Sequence, residues 1–191
     1  MSPSAAVAPG ADEQHYDRTT VVLHWLTAVV VLLLWIVGQT IDDFPKGTPR
    51  IGARTVHILV GASLAILVIA RIVWRLRSGR RLAPASAGIV GRIERSYHWL
   101  LYALLLATVS LGVANAWIRG DTLLGLFKIP SIAPGNKELR ELVEDLHAYA
   151  ANTVVIAASL HALAALVHHF FLKDGVLRRM LRRPSPAAPA R

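Results

Sequence analysis

Four long runs of apolar residues divide this chain, separated by short segments rich in charge, Gly and Pro. The first extends from Thr19 to Ile41 (TTVVLHWLTAVVVLLLWIVGQTI) without a formal charge. The second begins at His57 (HILVGASLAILVIA) and continues past Arg71 to Trp74. The third covers Tyr97 to Ile118 (YHWLLYALLLATVSLGVANAWI), and the fourth His147 to Leu172 (HAYAANTVVIAASLHALAALVHHFFL). A hydrocarbon layer about 30 Å thick needs roughly 20 helical residues, which each run supplies, the second with help from its flanks. Lipid offers no hydrogen-bond partners to the backbone, so these runs must be helices. The pattern predicts an all-α membrane protein, a four-transmembrane-helix bundle with spans at about 19–41, 54–76, 97–118 and 147–172. Gly61 and Gly112, with several Ala and Ser, permit close helix approach. The five tryptophans sit mostly near span ends, as interfacial anchors do. The segment ELRELVEDL (138–146) puts Leu139, Leu142, Val143 and Leu146 on one helical face. It is expected to lie on the outer membrane surface and lead into the fourth span.

Composition changes the picture in two ways. At 191 residues the length suits one domain, taken as 16–182 between disordered ends at 1–15 and 183–191. Only 17% of residues are charged, below the quarter or so of a soluble domain. There is no cysteine, which excludes disulfides, iron–sulfur clusters and C-x-x-C-H haem attachment. The net charge of +9 suggests nucleic acid until the charges are located. Fourteen of the 21 Lys and Arg fall before span one, between spans two and three, or after span four. That side carries the whole net charge and the other side carries none. The positive-inside rule puts both termini and the RLRSGRRL loop in the cytoplasm of a multi-pass protein of a bacterial inner membrane. The basic runs then serve topology and anionic lipid rather than nucleic acid. Residues 1–14 lack the apolar core of a signal peptide.

Histidine carries the chemistry. Seven of the eight histidines lie in or at the ends of the spans, where an ionisable group is costly and usually functional. His147 and His161 are 14 residues apart on span four. Four helical turns bring them to nearly one face, roughly 21 Å apart along the axis. His168 returns to about that face, while His169 points away and is read as interfacial. His15 precedes the first span and is read as solvated. Two histidines so spaced can serve two metal centres stacked across the membrane. His57 opens span two at the outer level, beside His147, and forms the natural outer pair. In the inner half the depth argument leaves His24–His161, His98–His161 and His98–His168 open, and favours the deeper two, His24 and His161.

Zinc and copper sites normally draw three or four protein ligands, including carboxylates or thiolates that these spans lack. Haem needs only two, and methionine is excluded because only Met1 and Met180 exist. Gly61, Ala62, Ala158 and Ala162 beside the histidines leave room for a flat macrocycle, and bundle interiors are ordinary cofactor sites. Two non-covalent b haems are therefore expected, with iron held by histidine. A histidine-rich bundle that binds or transports a metal ion is the non-enzyme alternative.

The chain resembles the prokaryotic cytochrome b561 family, small four-span dihaem cytochromes that include the bacterial superoxide:ubiquinone oxidoreductase. The resemblance rests on YDRTTVVLHWL, the VHILVGASLAILVIARIVWRL block, SYHWLLYALLL, the Arg119-Gly120 pair and LHAYAANTVVIAASLHALAALVHHFFLKDGVLRRM, and covers about residues 16–182. It implies that His24, His57, His147 and His161 are the axial ligands, with His24–His161 holding the inner haem and His57–His147 the outer. It also implies a quinone near the inner haem, with His98 and His168 at the matching positions. A histidine beside a quinone is suited to carry its protons. Arg18 and Arg71, near inner span ends, are candidate partners of haem propionates or snorkelling cations, Arg71 the better because it interrupts an apolar run.

The resulting expectation is an oxidoreductase that moves electrons across the membrane. Histidines on both faces of each iron leave no position for oxygen or peroxide. In the preferred reading periplasmic superoxide is the donor and ubiquinone the acceptor. Lys46, Arg50, Arg54, Arg119, Lys128, Lys137 and Arg140 are the cations available to draw an anion to the outer face. Glu138, Glu141, Glu144 and Asp145 compete with them. The alternative is a cytochrome b carrier that links the quinone pool to another dehydrogenase or a periplasmic redox protein. Membrane lipid is an expected partner, and small residues on span faces permit an oligomer.

Overall fold

A computed structural model describes residues 15–79, 82 and 88–181. Four long helices run in chain order: α1 (Arg18–Thr40), α2 (Thr48–Arg77), α3 (Gly88–Arg119) and α4 (Lys137–Val167). Each is long and apolar enough to cross a membrane. α1 packs on α2, α2 on α3 and α3 on α4, and α4 returns to α1 along a thinner seam. The expected four-helix bundle is what forms. The expected terminal tails fall outside the described residues, apart from His15.

Local signals set the helix ends. Asp17 caps α1, accepting from Thr20 N at 2.9 Å and Thr20 Oγ1 at 2.6 Å. Its carboxylate also accepts from the Trp74 indole at 3.0 Å, which ties α1 to the end of α2. Asn136 caps α4 through Leu139 N. Pro49 occupies the first turn of α2, where its missing N–H costs nothing. Two helices start earlier than the apolar runs suggested. α3 begins at Gly88 rather than near 97, and α4 at Lys137 rather than 147. ELRELVEDL is therefore the continuous first turns of α4, not a separate surface segment. Val143 is buried, while Leu142 and Leu146 stay exposed. A helix does not stop where hydrocarbon stops; charged residues continue it into the headgroup region.

The packed layer is thin and central. Leu34, Leu64, Val68, Tyr102, Leu105 and Val154 meet in mid-bundle, with Val68 fully buried. Val154 lies midway along α4 between His147 and His161, so this layer separates two histidine levels. Large apolar side chains such as Val29, Ile66, Ile156 and Leu160 face outward. A surface so apolar belongs in lipid.

A short antiparallel hairpin, β1 (Thr122–Leu123) and β2 (Phe127–Lys128), follows α3. Buried Thr55 of α2 holds it: its hydroxyl contacts Thr122 O at 3.4 Å and accepts from Leu124 N at 3.2 Å. At the opposite end α4 passes into a π-helical turn at His168–Leu172, then a short helix α5 (Arg178–Leu181) folds back on α1. Tyr16 N donates to Arg179 O at 3.3 Å, and the Trp25 indole donates to Met180 O at 3.1 Å.

Candidate functional site

The outer level is built by α2 and α4. The rings of His57 and His147 face each other with centroids 6.1 Å apart at an interplanar angle of 88°. His147 Nδ1 lies 3.0 Å from Thr108 O on α3; a carbonyl accepts only, so this nitrogen carries the proton and donates. That tautomer leaves a lone pair on Nε2. His57 Nδ1 is buried without a hydrogen-bond partner among the described residues.

A cavity of about 610 Å³ opens beside this pair, lined among others by Gly61, Ala62, Ala116 and Ala151. That volume lies in the range of cofactor sites. Glycine creates part of it. A Cβ at Gly112 would stand 2.9 Å from His147 Cε1, and one at Gly38 would stand 3.2 Å from His57 Cε1. Gly61 meets nothing within 4 Å, so it opens the cavity rather than a close helix contact.

Ion pairs line the outer mouth. Arg119 reaches Asp121 at 3.5 Å and Glu144 at 3.2 Å, and Arg54 reaches Asp121 at 3.7 Å and Asp42 at 3.9 Å. Arg50 pairs with Asp42 and donates to the Phe44 and Asp42 carbonyls. Three of the cations expected to attract an anion are thus already engaged by carboxylates. Burial pushes the Asp121 carboxyl up from its ordinary value, against the pull of Arg119, Arg54 and Arg140.

The inner level gathers three histidines rather than two. His24 on α1 and His161 on α4 lie 6.2 Å apart between ring centroids, at 64°. His98 on α3 meets His161 at 5.0 Å, edge to face, and its Nδ1 donates to Glu94 O at 2.7 Å. Tyr97 lies parallel to His161 at 6.4 Å and donates its hydroxyl to Ala157 O at 2.9 Å. Arg71 donates to His24 Nδ1 at 3.2 Å and sits over the Tyr102 ring at 5.3 Å. It therefore reaches the inner histidines. Arg18 is exposed at the start of α1.

His168 stands apart from this group at the π-turn, where Nδ1 is paired with the Asp174 carboxylate. Sequence reasoning missed Asp174, the two tyrosines and the half-buried Asn152, which accepts from the Trp35 indole at 2.8 Å and Gln39 at 3.3 Å. Tyr97 is the neighbour of His98 in a chosen motif; Asp174 and Asn152 gave no periodic signal.

Comparison with known proteins agrees with this architecture. Residues 15–183 match the prokaryotic cytochrome b561 family. The chain is 27% identical to the protein named "Probable superoxide oxidase CybB" of Yersinia pestis, over 87% of this chain and 95% of the relative. It is 29% identical to "Cytochrome b561 homolog 1" of Escherichia coli K12, over 88% and 97%. It is 30% identical to "Cytochrome b562" of Cereibacter sphaeroides, over 89% and 97%.

Proposed function

Because this chain belongs to the prokaryotic cytochrome b561 family, and so is an electron-transfer cytochrome of the bacterial inner membrane, we propose that it is a superoxide:ubiquinone oxidoreductase with two b haems. The carrying observation is the equal spacing of two histidine pairs, 6.1 Å and 6.2 Å between ring centroids, on either side of the central packed layer. One metal ion between two ring nitrogens, at about 2 Å from each, needs a gap of this size once half of each ring is added. The 5.0 Å approach of His98 to His161 is too close for that and is a ring-packing contact. His24–His161 and His57–His147 are thus the pairs suited to axial ligation.

The chain's own groups fit the cofactor. His147 is held through Nδ1 by the Thr108 carbonyl, the support that a ligating histidine normally has. Gly38 and Gly112 give both outer rings room to turn, and Gly61 with Ala62 leaves a cavity for a macrocycle. Arg71 brings a cation to the inner level, where propionates need neutralising. A haem held by each of these histidine pairs would supply a one-electron centre.

Two superoxide anions each lose one electron outside and leave as oxygen. One ubiquinone takes both electrons and two protons inside and leaves as ubiquinol. His98, in the inner half of α3, and His168, in the π-turn that follows α4, are the residues assigned to the quinone and its protons. The named relative from Yersinia pestis supports superoxide as donor. The test is a pulse of superoxide mixed anaerobically with the purified, oxidised protein in the presence of ubiquinone. Haem reduction within the dead time to milliseconds, followed by ubiquinol, is expected. Haems that stay oxidised with superoxide but are reduced by ubiquinol would refute the donor.

The second reading, a cytochrome b carrier serving another redox protein, is favoured by one feature. Arg54 and Arg119 are committed to Asp42, Asp121 and Glu144, which weakens the positive field they offer at the outer mouth. The metal-transport bundle has less support: among the described residues no group of three or more His, Asp or Glu is arranged to hold an ion.

A further inference from the structure

The π-turn that ends α4 has a defined architecture that the electron path does not require. Seven residues past His161 the helix widens at His168–Leu172, a feature often found at functional sites. Lys173 then adopts the left-handed conformation (φ 52°, ψ 28°), which ends the helix and turns the chain back. Asp174 N donates to the His168 carbonyl at 3.4 Å, closing the turn. The Asp174 carboxylate is itself fixed: Oδ1 accepts from Val176 N at 3.1 Å and Oδ2 pairs with His168 Nδ1. A carboxylate held by backbone on one oxygen and by imidazole on the other is the arrangement that sets a histidine's tautomer and aim.

We propose that Asp174 is the positioning residue for His168, making the pair the proton-transfer device for quinone at the cytoplasmic end. This rests on the quinone reading above and adds a residue to it. With Nδ1–H held by Asp174, the working atom of His168 is Nε2. As a bound quinone is reduced by two electrons, one at a time, the His168 imidazolium would pass its Nε2 proton to a quinone oxygen. His168 keeps its Nδ1 proton, hydrogen-bonded to Asp174, and regains the other from the cytoplasmic side through water. Two such proton transfers balance the two electrons. In quinol oxidation the same atoms work in reverse.

Both side chains remain partly exposed, 20% for His168 and 29% for Asp174, so water reaches them. The charged groups around the pair are Arg179 of α5 and Lys173 in the turn, with Glu94 and His98 of α3 at the same end of the bundle. Slight burial works against ionisation of Asp174, but the hydrogen bonds from His168 and Val176 and the charge of Arg179 outweigh it, so its pKa is lowered. Asp174 orients and does not itself carry the proton.

The experiment uses the haem-loaded full chain, reduced by a short-tailed ubiquinol under single-turnover conditions. Variants are Asp174→Asn, Asp174→Glu, His168→Gln and the double Asp174→Asn/His168→Gln. The expected result is a rate constant lowered about 100-fold in Asp174→Asn, the scale of a lost general acid–base. His168→Gln should match it, the double variant should lose nothing more, and Asp174→Glu should recover part of the rate. Haem content and spectrum should stay as in the wild type. A wild-type rate in Asp174→Asn would overturn the proposal, as would losses that multiply in the double variant. Haem loss in Asp174→Asn that Glu does not restore would also overturn it, by making the residue structural. A wild-type protein that ubiquinol cannot reduce would instead sink the quinone reading beneath it.

Discussion

The outer and inner histidine levels are built from similar parts but on different plans. The outer pair is secluded: two rings, a carbonyl behind one of them, glycines against both and an open cavity beside them. The inner pair is crowded: His24 and His161 share their level with His98, Tyr97 and Arg71, and Arg71 in turn sits over Tyr102 of the central layer. The seclusion suits a site that only passes electrons. The crowding suits a site where charge changes must be met by protons and cations, as reduction of a quinone demands. If that contrast is functional, the two levels should respond differently to the same kind of change.

The largest effect should come from removing ligands. His57→Ala and His147→Ala are each expected to lose the same haem, halving the haem extracted per chain. His24→Ala and His161→Ala should lose the other. His98→Ala should retain both, because its contact with His161 is ring packing. Low-temperature spectra, in which two b haems differ slightly, would show which one has gone. Loss of a haem in His98→Ala with retention in His24→Ala would invert the inner assignment.

How much of this was legible beforehand follows the same divide. The outer pair could be read by depth because one histidine on α2 and one on α4 stand at that level with no rival. For the inner pair depth favoured His24 and His161 without deciding between three pairings, because three histidines reach one level and only the packing of rings separates them. Helix number was visible in apolar run length, but helix ends were not. GIVGRIERS and KELRELVEDL carry helix into a zone where hydropathy has no signal. The hairpin has strands of two residues, too short for any alternation to show. The ion pairs join Arg54 to Asp121 and Arg119 to Glu144 across different elements, so counting charge on that side gave zero without revealing that they cancel locally. The Asp174–His168 pairing depends on a left-handed Lys173, a conformation lysine rarely signals.

A smaller effect should arise from steric change confined to the outer level. A Cβ at Gly112 would meet His147 Cε1 at 2.9 Å, closer than real contacts allow, and helix backbone has no freedom to retreat. Gly112→Val should therefore rotate the His147 ring off its Thr108 acceptor. Disturbing the support of a ligand typically weakens metal binding about 10–100-fold. Titration of the depleted variant with haem should show one weakened site and one unchanged. Gly38→Ala, at 3.2 Å, should do the same more weakly. Equal weakening of both sites would mean that the levels are coupled through the central layer and that the contrast between them is overstated.

The smallest effect probes the outer mouth, which has no counterpart among the inner histidines. Burial raises the Asp121 carboxyl above its ordinary value, and Arg119, Arg54 and Arg140 only partly offset this. The folded protein then holds that proton more tightly than the unfolded chain does. In the pH window from the ordinary carboxylate value up to the raised one, the folded state binds more protons, so stability falls as pH rises. Below the window both states are protonated and the penalty vanishes; above it the penalty is complete. Asp121→Asn should remove this slope while its side-chain oxygen still accepts from the two arginines. Asp42→Asn should change little, because Asp42 is 74% exposed and its pairs with Arg50 and Arg54 are screened by water. Melting temperatures in detergent at stepped pH, for the wild type and both variants, measure the difference directly. A wild-type slope in Asp121→Asn would assign the acid response to another carboxylate. The ion pairs would then be a rim built for structure alone, with no proton exchanged at the outer end.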